Sequence, residues 1–421
     1  MAAPVVPADL FDPFGPAALD DPYPIYAQLR RVAPVGFLQD HDVWLLARYD
    51  DVVRAWRDPA AFSSVQGMGV ALPRFLGETG QADRQRSLVV LDPPVHTRLR
   101  RLLAPAFTPP AVADLEPDVR QLCLLLVDSL LARPAGAQDL ARHLAELLPM
   151  AVIARLLDVP GDRIDDVRRW TTDLRSARTG PQPGPLVDPA DRQRARAEVR
   201  AHVGQVVADR AGQPGDDLLG RLLHGARLLG DELDEDDLVG FATLLLSGGY
   251  ETTANLLSNL LLTLLQRPRW LETLRTTPAL IPAAVDETLR FDPPVQGLFR
   301  WTTGSVRFRD VVIPPNSAVW GLFGSAGRDE SRFDQPDVFD PTRTGPGEHL
   351  AFGHGAHACL GAPLARLITR VALATLLERT STIQLSGPPQ RSANPVFRGL
   401  ASLPVALTGA SPAGGRHIVA A

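Results

Sequence analysis

The chain has no lysine: all 43 basic side chains among its 421 residues are arginine, alongside abundant Ala, Pro, Leu and Gly. That bias speaks to a GC-rich, bacterial coding background rather than to mechanism. A net charge of −5 without a basic tail removes any global bias toward nucleic acid. Only two cysteines occur, Cys123 and Cys359, so no disulfide is expected, which suits a reducing cytoplasm. No apolar run reaches the ~18–20 residues needed to span a bilayer. The opening stretch MAAPVVPADLFDPFGPAALD lacks both the basic and the continuous apolar regions of a secretory signal. The glycine fingerprint of a flavin or nicotinamide fold is also missing. With no repeat and no convincing interior linker, residues 1–408 are expected to form one domain and the tail 409–421 to be disordered.

With 45% hydrophobic and 22% charged residues, the chain can bury a sizeable core. Periodic apolar segments, broken by Pro and Gly at 134–136, 180–189 and 212–215, predict a mostly helical fold. Short β-rich runs at 43–49, 306–319, 382–385 and 404–407 predict small sheets on the helical body. The run Pro-Gln-Pro-Gly-Pro-Leu at 181–186 separates two amphipathic helices and reads either as a mobile lid or as a plain surface loop. Cys123, in an apolar helical stretch, reads as a buried inert thiol.

Three motifs carry chemistry. The first is Phe352-Gly353-His354-Gly355-Ala356-His357-Ala358-Cys359-Leu360-Gly361. A thiol just before a helix start meets backbone N–H donors and the positive end of the helix dipole, which predicts a favoured thiolate and a metal ligand. Taken alone, the run also admits chance neighbours in a loop or a poor zinc site, although zinc wants four ligands, or three with water. The second motif, Leu246-Ser247-Gly248-Gly249-Tyr250-Glu251-Thr252-Thr253, lies in a long apolar helix predicted from about Asp234 to Gln266. Consecutive glycines inside a helix cost roughly 1 kcal/mol each relative to alanine, so close packing of a helix or of a flat ligand should compensate. The third, Glu287-Thr288-Leu289-Arg290, sets opposite charges on one helix face.

Together these motifs resemble the cytochrome P450 superfamily of soluble bacterial haem-thiolate monooxygenases, over roughly Asp21 to Leu407; every position of the signature Phe-x-x-Gly-x-His/Arg-x-Cys-x-Gly is filled. The resemblance implies a mainly α fold with small β-sheets, a triangular helical body holding haem between the long distal helix and the cysteine loop. It makes Cys359 the axial iron ligand, with thiolate donation favouring O–O cleavage. Phe352 would pack on the sulfur side, Gly353 and Gly355 would let the turn approach the porphyrin, and Gly361 would let the next helix press on the ring, with Ala365 in its first turn. His357, His96, Arg100 and Arg300 would bind the propionates. Gly248 would open a groove for dioxygen, Thr252 would hydrogen-bond the oxygen bound there, and Glu251 would link an ordered water to bulk protons. Glu287, Arg290 and Arg343 would form a structural triad. Departures from the family pattern are Gly327 where asparagine is common, Tyr250 for a frequent histidine and Ile368 for a frequent glutamate.

The resemblance further implies haem b as cofactor and electrons from NAD(P)H through external partners, a ferredoxin and its reductase. Arg98, Arg101, Arg366 and Arg370 read either as a docking surface for an acidic ferredoxin or as solvated surface arginines. Family positions for the substrate fall on Leu245, Ser247, Gly248, Val295, Gln296, Leu298, Val396, Phe397 and residues 68–72. Arg84, Arg86 and Ser87 could, with Ser247, hold a carboxylate. The expected substrate is a hydrophobic small molecule, foremost a macrolide, polyketide, terpenoid or peptide-derived metabolite, secondly a small aromatic ether or acid. A peroxide-driven peroxygenase, a non-catalytic recruitment domain and a haem-based sensor are the rival functions. A cytoplasmic monomer with no nucleic-acid or membrane partner is expected.

Overall fold

In the computed structural model, residues 4–7, 9–76, 87–134, 138–174, 188–210 and 218–410 are described. The expected lid at 181–186, the break at 212–215, Arg84 and Arg86 lie outside them. The helices that position the site are α1 (Tyr23–Val32), α2 (Tyr49–Trp56), α3 (Val95–Leu103), α4 (Glu116–Leu131), α5 (Leu147–Leu156), α6 (Ile164–Asp173), α7 (Glu235–Leu244), α8 (Tyr250–Leu265), α9 (Ile281–Phe291) and α10 (Ala362–Arg379).

The predicted 234–266 helix is one rod made of α7, a π-helical turn at Leu245–Gly249, and α8. Asp234 caps it by accepting the Asp237 N–H at 2.8 Å, and Glu235, Asp236 and Asp237 sit at the positive dipole end. Leu256, Leu257, Leu260, Leu261 and Leu264 are all buried, because α8 runs through the largest apolar cluster beside leucines of α4 and α10. Cys123 lies in that cluster without exposed surface, and burial pushes its thiol up to about 12. Ile368, too, is core.

Strands β1 (Val35–Leu38), β2 (Val43–Leu46), β3 (Phe62–Ser63), β4 (Leu298–Thr302) and β5 (Ala318–Gly321) form one sheet in the order β1-β2-β5-β4-β3, with only β2 and β5 parallel. Side chains alternate across it. Phe299 and Trp320 join an apolar cluster with Tyr26 and Leu29 of α1, while Val319, Trp44 and Leu46 join another with Trp56 and Phe323. The β-rich run expected at 43–49 stops at Leu46, because Tyr49 already opens α2 with Asp50 and Asp51 in its first turn. The run at 306–319 splits into the hairpin Val306–Phe308/Val311–Ile313 and β5. β6 (Thr380–Leu385) pairs antiparallel with β7 (Val405–Gly409). Disorder expected from Gly409 is corrected there: Gly409 pairs with Thr380, and the Ala410 N–H donates to Arg379 O at 2.9 Å. Residues beyond 410 lie outside the described ones.

Glu287 and Arg290 of α9 are fully buried, not a solvated surface pair. Arg290 Nε and Nη2 donate to the two Glu287 carboxylate oxygens at 2.8 and 2.7 Å, and its remaining protons go to Gly327 O, Pro336 O and Val338 O. Arg343 approaches Glu287 Oε1 at 3.5 Å, and the Asp340 N–H donates to the same oxygen at 2.9 Å. Gly327 has its reason here: a Cβ would lie 2.3 Å from Arg290 O.

Candidate functional site

The cysteine loop is shaped by two left-handed glycines, Gly353 at φ +69° and Gly355 at φ +67°. A Cβ at Gly355 would also strike Trp56 O at 2.4 Å, so the loop rests directly on the end of α2. The Cys359 N–H donates to Phe352 O at 2.7 Å and closes the turn. Phe352 lies under the Arg366 guanidinium at 4.6 Å, and Arg366 Nε is fixed on Asp286 Oδ1 at 2.7 Å. Gly361 has an ordinary φ of −81°; its missing side chain leaves room near Sγ, which a Cβ would approach at 4.0 Å. Ala365 is half-buried in the first turn of α10.

Cys359 keeps accessible surface, yet desolvation pushes its thiol up, against the backbone N–H groups of Gly361 and Ala362 and the charges of Arg100 and Arg366. The N–H donors expected at the helix start are present, and burial opposes them. A bound cation would reverse that balance.

On the distal rod, the Gly248–Gly249 pair is not there for helix packing. A Cβ at Gly248 would meet only Leu244 of its own helix, at 3.4 Å, and one at Gly249 would meet Ile153 of α5 at an ordinary 3.4 Å. Thr252 Oγ1 donates to Gly248 O at 2.5 Å, which engages its proton and leaves its lone pairs to accept. Glu251 is 7% exposed, and Ser247 Oγ donates to Thr243 O at 2.8 Å.

A cluster of bases lies beside the cysteine loop. The His96 and His357 rings are 3.9 Å apart, and among the described residues neither nitrogen of buried His96, nor His357 Nε2, has a hydrogen-bond partner. Burial and the neighbouring Arg300, His96 and Arg100 push His357 down to about 3. Arg300 is 4% exposed, stacks 4.8 Å over Trp56, and among the described residues donates only to Phe299 O; burial lowers its pKa to about 10. Asp92, the nearby carboxylate, is already engaged by Ser63 Oγ at 2.5 Å and the Ser64 N–H at 2.7 Å. Buried bases without acceptors are costly, so this cluster is built for an anion supplied from outside. Two parts escaped the sequence reading. Trp56 props Arg300 and the loop at Gly355, and Gly67 lets the turn Gly67–Ala71 lie on the β4 backbone, where a Cβ would be 2.4 Å from Arg300 Cα. Only the small-residue run around Gly67 could have signalled the latter.

Candidate substrate residues divide between two packings. Val295 bridges Phe397, and both, with Leu298, pack in one apolar cluster, which Phe397 shares with the cluster around α1. Gln296 and Val396 lie next to them in the chain. Gln296 Nε2 donates to Pro293 O at 2.8 Å and Tyr23 Oη at 3.3 Å, and Val396 is fully buried with Phe299 and Trp320. They belong to the packing around α1, which corrects their expected substrate contact. Leu245 is buried in the core; Met68 of the 68–72 segment is half-buried, and Ser87 is half-buried with its carbonyl accepting the Val90 N–H. The four arginines read as a docking surface are all paired within the chain. Arg98 holds Asp231 and Asp237 at 3.0 and 3.3 Å, Arg101 holds Asp231 at 2.9 Å, Arg366 holds Asp286, and Arg370 holds Glu116 at 3.0 Å.

A thiol at a helix start, a helix thinned by two glycines, and buried bases lacking anions fit one prosthetic group: a haem whose iron takes the sulfur and whose propionates take the bases. The fold and site thus define the class of haem-thiolate proteins. A family model described as Cytochrome P450 matches residues 279–405. Cytochrome P450 107B1 of Saccharopolyspora erythraea is 39% identical over 93% of this chain and 96% of its own length. The cytochrome P450 monooxygenase PikC of Streptomyces venezuelae is 38% identical over 91% of each. The structure of cytochrome P450 CYP109Q5 from Chondromyces apiculatus superposes with a TM-score of 0.86 at 37% identity, covering 96% of this chain and 99% of that one. The chain belongs to the cytochrome P450 family, with the family's fold and its monooxygenase activity. Among the described residues no helix is long and apolar enough to cross a membrane.

Proposed function

We propose that this monooxygenase carries haem b on Cys359 and inserts one oxygen atom from O2 into a hydrophobic secondary metabolite, of macrolide, polyketide or terpenoid type. The observation carrying this reading is the cluster of His96, His357 and Arg300, buried or half-buried and nearly without acceptors among the described residues, beside Cys359, which keeps accessible surface. Bound haem supplies the reduction of dioxygen and the transfer of one of its atoms to a C–H bond. Phe352, pinned by Arg366, shields the sulfur from water. Arg300, Arg100, His96 and His357 hold the propionates. The open space beside Gly248 admits a diatomic ligand, and Thr252 Oγ1, donating to Gly248 O, accepts a hydrogen bond from a water placed there. Glu251, one residue earlier and nearly buried, relays protons to that water. Leu245, Leu298 and Phe397 offer the substrate an apolar wall.

Electrons come from NAD(P)H through a ferredoxin and its reductase in the cytoplasm. The four arginines keep exposed surface beside their carboxylate partners, and Arg57, which donates to His354 at 2.8 Å, adds a further charge next to the cysteine loop for an acidic ferredoxin. The test is the absorbance of the ferric protein titrated with a macrolide/terpenoid panel and an aromatic-acid panel. A low-to-high-spin shift confined to the first panel is expected; a shift with aromatic acids alone would replace the substrate class, and a spectrum without thiolate-ligated haem would remove the cofactor assignment. In Thr252→Ala, haem and substrate binding should persist while reducing equivalents are lost as peroxide. Unchanged coupling of NADPH use to product would contradict the role given to Thr252.

A further inference from the structure

A second cavity, of about 600 Å³, lies among α5, α6, α8 and the strands near Leu400. No residue of the cysteine loop or of the base cluster lines it. Its wall on the distal rod is the stripe Tyr250, Ala254, Asn255 and Ser258, spaced i, i+4, i+5 and i+8 and centred well away from the Thr252 face. Its opposite wall includes the π-helical turn Ala141–Ala145, an arrangement that concentrates at functional positions.

The lining is polar and cationic. Arg133, Arg142 and Arg168 face a single carboxylate among the lining residues, that of Glu146. These cations are only lightly held. Arg133 makes no ion pair among the described residues, Arg168 is 3.9 Å from exposed Asp165, and Arg142 gives Nε to Ala401 O at 3.2 Å and is 3.9 Å from Asp139. His143 stands between two of them, held down by burial and by the charges of Arg133 and Arg142. Asn255 is only 9% exposed and its Nδ2 donor has no partner among the described residues. A buried amide left unsatisfied is costly, and an acceptor in the cavity relieves it. Met150, Leu147 and Leu400 add an apolar patch.

We propose that this cavity is a second ligand site, distinct from the haem pocket, for a small organic oxyanion: a carboxylate or phosphate monoester on a short apolar body. The oxyanion meets Arg133, Arg142 and Arg168, one of its oxygens accepts from the Asn255 amide, and the apolar body lies on Met150 and Leu400. The volume is that of sites for small organic ligands. This assignment does not rest on the haem reading.

The test is calorimetric titration of the holoprotein at low salt with phenyl phosphate, phenylacetate and inorganic phosphate, while the haem absorbance is followed. Saturable one-site binding of phenyl phosphate or phenylacetate with an unchanged haem band is expected; whichever binds more tightly identifies the oxyanion, and inorganic phosphate should bind more weakly than either. Asn255→Asp, nearly isosteric, and Arg133→Gln/Arg168→Gln should each weaken it about tenfold or more, as loss of a charge-assisted contact requires. The paired variant, at exposed positions, stands if Asn255→Asp fails to fold. Absence of saturable binding, affinity unchanged in the variants, or binding that shifts the haem band would overturn the proposal.

Discussion

Two polar clusters inside the molecule are in opposite states. Around Glu287, every proton of Arg290 ends on an oxygen of the chain, and the carboxylate also takes a backbone N–H. Around half-buried His357, buried His96 and Arg300 are nearly without acceptors among the described residues, and Asp92 is spent on Ser63 and Ser64. A buried charge that the protein itself satisfies is part of the scaffold; one that it leaves unsatisfied is a site waiting for its ligand. The same distinction separates the satisfied hydroxyl of Ser247 from the orphan amide of Asn255.

Breaking the satisfied cluster should have the largest effect. Glu287→Gln strands Arg290 in the core, and loss of one partner of a buried pair costs about 3–5 kcal/mol. The variant should fail to accumulate folded, with or without haem, which soluble yield and denaturant titration would show. A stable apoprotein that merely binds haem poorly would erase the contrast. Arg300→Leu should do the reverse. The apoprotein melt should stay level or rise, since an uncompensated buried cation is removed, while haem transfer to apomyoglobin accelerates about tenfold or more, the value of one charge-assisted hydrogen bond. A melt lowered as far as that of Glu287→Gln would assign Arg300 to the scaffold. Smallest is Gly248→Ala. Its Cβ has room, so the apoprotein should gain up to about 1 kcal/mol from helix propensity, yet the stability of the ferrous–dioxygen complex, followed by stopped-flow absorbance, should fall. Loss of apoprotein stability would mean that the glycine serves packing after all.

The cysteine loop, the distal helix and the Glu287/Arg290 pair were legible because each is a local pattern: left-handed glycines at fixed offsets, an apolar helix with a cap, two charges three residues apart. Arg343 was also found, by resemblance. What could not be read were partners across the fold. Nothing near Arg98 in the chain announces Asp231, and nothing near Gly327 announces the Arg290 carbonyl it must clear. The burial of Gln296 and Val396 against α1 could not be read for a similar reason, since their partners lie far away in the chain.

By itself, the amino-acid sequence determined the helices, the turn that presents Cys359, the family and the kind of cofactor, because turn chemistry, periodicity and capping act over a few residues. Tertiary structure alone decided which charges are neutralised, how deeply the bases beside the cysteine loop are buried, and that a second polar cavity lies behind the distal helix. Those outcomes depend on desolvation and on groups brought together from distant parts of the chain, and no local pattern encodes them.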